Sequence, residues 1–197
     1  VVPSIAKDFR RVGAVVVMAV IALVLPATPS ARAQVKVARE YEVKAVFLFN
    51  FAQFVEWPVT AFADANTPVI IGVLGDDPFG DALEQAVHGG TVKGRAVVIK
   101  RAPRLDELKP CHLLFVAKSE KSRSAQILRS VSGAGMLTVG ETDDFTTQGG
   151  VIGFKTQQNR VQFEINVDAA EREGLKVSAK LLKVSRIVGS PSGREAP

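Results

Sequence analysis

Residues 40–58 read EYEVKAVFLFNFAQFVEWP, and how this stretch packs decides the fold. Tyr41, Phe47, Phe49, Phe51, Phe54 and Trp57 crowd into it, the sole tyrosine and sole tryptophan of the chain among them. Phe47, Phe51 and Phe54 recur at helical spacing on one face, and Tyr41, Ala45, Leu48, Ala52 and Val55 keep the same period on another. The spacing predicts a helix that is apolar almost all round and must be covered on more than one side, by its own sheet or by a second molecule. Trp57-Pro58 is expected to close it, because the residue before a proline is pushed out of the helical region. Phe47, Phe51, Phe54 and Trp57 are therefore candidate partner-binding anchors. Large aromatics more often fill an interior, but a face left open would be an interface patch, which Phe145, Phe154 and Phe163 can extend.

Downstream, strands and helices alternate. Val69–Leu74 (VIIGVL) is a β-branched run of buried-strand length, followed by Gly75-Asp76-Asp77-Pro78, where Asp77 can cap a helix and Pro78 can open it, the helix running to about Val87. Further strands are expected at residues 96–101, 112–117 and 136–139, with a short turn near Leu105–Leu108 and a helix whose Ile127, Leu128 and Val131 face inward. This alternation argues for a mostly parallel sheet with right-handed crossovers. Residues 150–155 and 160–167 then read as an antiparallel hairpin, the second strand alternating Val161, Phe163, Ile165 and Val167 with polar residues. Asp168 and Glu171 form a capping-box pattern for one last long helix with Val177, Leu181, Val184 and Val188 as its stripe. The expected class is α/β: a single-domain three-layer sandwich with a mostly parallel sheet, a C-terminal antiparallel hairpin and a final long helix.

Ahead of the fold, Lys7, Arg10 and Arg11 precede an uncharged apolar run, Val12–Leu25, and Ala31-Arg32-Ala33 offers a small-x-small cleavage pattern. The run is short for a membrane span and suits a signal peptide over residues 1–33, cut after Ala33. The domain then covers residues 34–188, and residues 189–197 have the composition of a loose tail. Much of the net charge of +5 sits in the leader, so the basic balance is a poor argument for nucleic acid, and none is expected as a partner. Cys111 is the only cysteine, which rules out an intrachain disulfide. With only His88 and His112 besides, the chain lacks the converging ligands zinc needs. No cofactor is expected.

In a parallel sheet, the loops after the strands gather at one edge. Asp76 and Asp77, Lys118 and Ser119, and Glu141, Asp143 and Asp144 follow successive strands and can line one polar crevice for a cation, an amine or another small molecule; otherwise Asp77 is a cap and the rest are solvated turns. Gly72-Val73-Leu74-Gly75 lacks the third glycine of a dinucleotide loop, and Ser119 has no histidine and acid at hand for a hydrolase triad.

The segments KAVFLFNFAQFVEWP, IIGVLGDDPFG, CHLLFVAKS, MLTVGETDDF and GGVIGFKTQQNRVQFEINVDAAEREGLKVSAKLLKVSRIV, in this order, resemble the YfiR family, also known as the DUF4154 domain, over Tyr41 to Val188. The resemblance implies a periplasmic regulator and not an enzyme. It implies binding to, and repression of, the periplasmic sensor region of an inner-membrane diguanylate cyclase or sensor kinase, with an outer-membrane lipoprotein as competitor and a homodimer as an available state. A periplasmic small-molecule binder using the polar crevice is the alternative. With Cys111 alone, the chain departs from cysteine-bridged members.

Overall fold

The computed structural model describes residues 29–158 and 160–189, with side chains described from residue 34. The apolar run Val12–Leu25 and tail residues 190–197 lie outside the described residues. The chain divides into two units, Val1–Ala38 and Arg39–Pro197. The described part of the first is helical; the sheet and its cores belong to the second.

Helix α1 spans Pro29–Phe54 and runs unbroken through the Ala33–Gln34 junction. It stops three residues before the expected Trp57. Val55–Glu56 (β1) instead pairs antiparallel with Lys176–Val177 (β9), and Ser178 N–H donates to the Phe54 carbonyl at 2.9 Å. A β-branched residue near a proline leaves the helix readily when a partner strand is available.

The main sheet is built from β2 (Val69–Leu74), β3 (Thr91–Val92), β4 (Arg95–Ala102), β5 (Leu113–Val116), β6 (Leu137–Gly140), β7 (Ile152–Gln157), β8 (Arg160–Asn166) and β10 (Arg186–Val188). Their spatial order is β10-β8-β7-β6-β5-β2-β4-β3. All neighbouring pairs are parallel except β7–β8 and β3–β4. Alternation within the central strands sorts side chains to two faces. Ile71, Val73, Leu113 and Phe115 join Ala45, Leu48, Phe51 and Ala52 of α1 and Leu83 of α2 (Ala82–Val87) in one core. Leu74, Leu114 and Val116 join Ile127, Leu128 and Val131 of α3 (Ser124–Val131) in the other. Helices on both faces of a mostly parallel sheet give the expected three layers. A side chain at Gly72 would press on Cys111 Sγ at 2.9 Å, so the glycine lets Cys111 and Leu108 lie against β2.

Two further expectations require correction. The final long helix is two short ones, α4 (Val167–Arg172) and α5 (Ala179–Lys183), followed by β10. Asn166, not Asp168, caps α4 by accepting from Ala169 N–H, and Gly174 ends the turn after it with φ +66°. Leu181 is buried as expected, whereas Val184 lies in solvent. The helix expected from Pro78 starts at Ala82, with Asp81 at its N-cap position; Asp77 accepts from Phe79 N–H in the preceding turn.

Candidate functional site

Helix α1 presents three different surfaces. Its inner surface is core: Phe51 is fully buried, stacks on Phe47 with centroids 5.9 Å apart, and meets Phe163 edge-on at 4.9 Å. Phe51 is therefore a core residue and presents nothing to the surface. Phe145, Phe154 and Phe163 are buried as well and extend no surface patch. Trp57 is half-buried and donates its indole N–H to the His112 carbonyl at 3.1 Å, a structural anchor rather than a free one.

The outer surface is apolar and uncovered among the described residues. Val43 (45% exposed), Val46 (51%) and Phe54 (38%) lie on it beside the half-buried Phe47. Glu42, Val43, Val46, Phe47 and Asn50 line a shallow groove of about 400 Å³ there. Of the four aromatic anchors read from the sequence, Phe47 and Phe54 reach this surface.

The third surface is polar, and it closes the crevice expected at the strand ends. Lys44 is 3% exposed, with its ammonium 2.6 Å from Glu141 and 2.7 Å from Glu40. It also sits 4.5 Å from the centre of the Tyr41 ring. Tyr41 donates to Glu141 at 3.0 Å, Lys118 N–H donates to the other Glu141 oxygen at 3.2 Å, and Thr156 donates to Glu40 at 2.9 Å. Burial, then the charge of Glu141, push the Tyr41 phenol well above its ordinary range. The protein's own lysine thus occupies the place between carboxylates and an aromatic face where an amine ligand would sit.

Bonds within the protein hold most of the other crevice residues in place. Ser119 Oγ accepts from Asp76 N–H at 3.0 Å. Asp77 pairs with Arg101 at 2.7 Å, and Arg101 also pairs with Glu84 at 2.6 Å. The Asp143 carbonyl accepts from Lys155, and the Asp144 carboxylate accepts from Gln148. Among the described residues no group of three or more His, Cys, Asp or Glu side chains can hold a metal. The sequence reading missed Lys44. Its one signal is a lysine four residues after Glu40 on an otherwise apolar helix, a spacing that pairs charges on one face.

His112 locks the opposite end of β5. Its Nδ1 accepts from Ile70 N–H at 3.0 Å, which fixes the neutral tautomer and leaves Nε2–H to donate to the Ala61 carbonyl at 3.1 Å. Phe62 stacks on the ring at 4.5 Å, with the Arg95 guanidinium 4.0 Å from the centre of the Phe62 ring. Burial lowers the His112 pKa, and burial pushes the neighbouring Cys111 thiol up to about 12, which leaves it unreactive.

Two solved structures resemble the fold in part. One is an ABC domain in complex with L-Trp from Streptococcus pneumonia, with 12% identity, a TM-score of 0.48, and 61% of this chain and 55% of that one covered. The other is a conserved domain protein from Vibrio cholerae O1 biovar El Tor, with 12% identity, a TM-score of 0.45, and 60% and 54% covered. The chain spans about half the length of these structures. A family model described as YfiR/HmsC-like, DUF4154, matches residues 41–186, a span that takes in α1 from Tyr41, the whole ladder from β2 to β8, and both short C-terminal helices. The chain belongs to the YfiR/HmsC-like family.

Proposed function

We propose that this protein is a periplasmic regulator that acts by protein binding. It docks the outer face of α1 on the periplasmic sensor region of an inner-membrane signalling protein, a diguanylate cyclase by preference, and holds down cyclic di-GMP synthesis. The supporting observation is the apolar stripe of Val43, Val46, Phe47 and Phe54, left open among the described residues on a helix whose other surfaces are filled. Membership of the YfiR/HmsC-like family supports the same reading. The internal pairing of Glu141 with Lys44 weighs against a small-molecule binder working through the crevice. Cleavage after Ala33 delivers the chain to the periplasm, and none of the helices among the described residues is long and apolar enough to cross a membrane.

Regulation of this kind needs no chemistry. A protein that prefers one conformation of a receptor stabilises that state by its differential affinity, and a competitor such as an outer-membrane lipoprotein relieves it. A homodimer through the same stripe would be a second competitor. The test is retention of the membrane partner by tagged protein in detergent extracts. Wild type is expected to retain a cyclase or kinase with a periplasmic sensor, and Val46→Asp to lose it at unchanged melting temperature. A folded Val46→Asp protein that retains the same partner would overturn the proposed surface.

A further inference from the structure

The sheet ends unevenly at its β4 side. Strand β3 covers only the start of β4, pairing Thr91 with Ala96 and Val92 with Arg95 across a tight turn in which Lys93 and Gly94 both have positive φ. In a two-residue turn of this type the closing residues exchange both main-chain hydrogen bonds. Arg95 therefore points its N–H and C=O toward β3, and alternation points those of Val97, Ile99 and Arg101 the same way, off the sheet. The even residues face β2; the Ala102 carbonyl accepts from Gly75 N–H at 3.1 Å on that side. Val97 N–H faces the Gly90 carbonyl, as the pairing of Thr91 with Ala96 requires, whereas among the described residues no strand pairs with the outward groups of Ile99 and Arg101.

The open edge has a shaped border. On the α2 face, Glu84, Val87, His88, Val97 and Ile99 help line a groove of about 580 Å³ alongside the strand. Glu84 is already neutralised there by Arg101. On the opposite face Val98 is exposed, and Lys100 is a half-buried lysine with no ion pair or hydrogen bond among the described residues. A second copy of this strand would bring another Lys100 and Arg101 to the same edge, the kind of charge that natural edge strands use against self-pairing.

We infer that the outer edge of β4 is a docking site for an extended segment of a partner polypeptide, with apolar side chains toward Val87, Val97 and Ile99 and a carboxylate opposite Lys100. Main-chain bonds to Ile99 and Arg101 supply the pairing, and the two faces supply selectivity, as in other strand additions. The site goes beyond the reading above: the α1 stripe takes a folded surface, the β4 edge takes a strand, and either can hold without the other.

The test uses isotope-labelled protein and a blocked peptide of alternating valine and glutamate, with a valine–lysine peptide as control. The glutamate peptide is expected to slow amide exchange at Ile99 and Arg101 by about tenfold at saturation and to bind about threefold more tightly than the control. Ile99→Pro removes one outward donor while leaving the β2 ladder intact, the position where edge strands accept proline, and is expected to abolish binding. Lys100→Glu, which does not threaten the fold, is expected to reverse the preference between the peptides. Absence of binding, binding without protection at those amides, or equal affinity for both peptides before and after Lys100→Glu would overturn the proposal. Since none of these readouts involves α1, failure here leaves the α1 reading standing.

Discussion

The strand-end crevice and the β4 edge are both polar borders of one sheet, and they are finished in opposite ways. At the crevice, Glu141 accepts from Lys44, Tyr41 and the Lys118 main chain, all within the protein. At the β4 edge, the outward main chain of Ile99 and Arg101 pairs with no strand among the described residues. A cluster of charges can thus be satisfied wholly within the protein, while main-chain groups at a sheet edge are left unmatched. Burial explains the difference: an unmatched charge at the 5% exposed Glu141 would cost too much to keep, whereas an unmatched amide at an exposed edge is satisfied by water.

The largest effect expected from this contrast is at the crevice. Lys44→Ala leaves Glu141 buried without its counter-charge and is expected to cost about 4 kcal/mol in urea unfolding. Replacing both partners by apolar residues is expected to restore most of that loss, because the isolated charge is what destabilises. A Lys44→Ala protein as stable as wild type would mean that the pair is not buried as described. At the edge, prolines distinguish the two sides of β4. Val98→Pro removes a bond to β2 and is expected to cost about 3 kcal/mol, against about 1 kcal/mol for Ile99→Pro, whose N–H points outward. Equal losses by thermal melting would contradict the assigned register.

A pH effect is expected at the third polar feature. His112 is neutral in the fold, accepts from Ile70 N–H, and has its pKa lowered from 6.5 by burial. Its contribution is fully present above pH 6.5 and is lost as the pH falls from there through the lower folded-state value. Urea midpoints measured across this window should fall on acidification in wild type, and by less in His112→Gln. The smallest effect is expected at the solvent-reached Arg101–Glu84 pair, where Glu84→Gln should change stability by about 0.5 kcal/mol or less. A larger loss in a denaturation series would show that the pair supports the open edge.

The layers were legible because Val69–Leu74, Leu113–Val116 and the inward side chains of α3 carry strong local patterns in short, bounded segments. The end of the chain was not. Val177, Leu181 and Val184 are helically spaced, but Gly174 and pairing with distant strands divide the segment, and neither β9 nor β10 is long enough to show a period. Glu141 was read as a candidate ligand residue and does lie at the strand ends, yet its partner Lys44 is 97 positions away, beyond any local pattern. Phe51 and Phe54 share one stripe in the sequence; packing buries the first and exposes the second, since residues three apart are offset enough to straddle the edge of a core.

On the proposed function, the protein works by offering an open surface and not by chemistry in a crevice. The most direct measurement is cellular cyclic di-GMP in a host lacking the protein, complemented with wild type, Val46→Asp or Glu141→Gln. Wild type and any folded Glu141→Gln protein should lower the nucleotide alike, while Val46→Asp should leave it high. Repression by Val46→Asp equal to wild type, or loss of repression by a folded Glu141→Gln protein alone, would contradict the account.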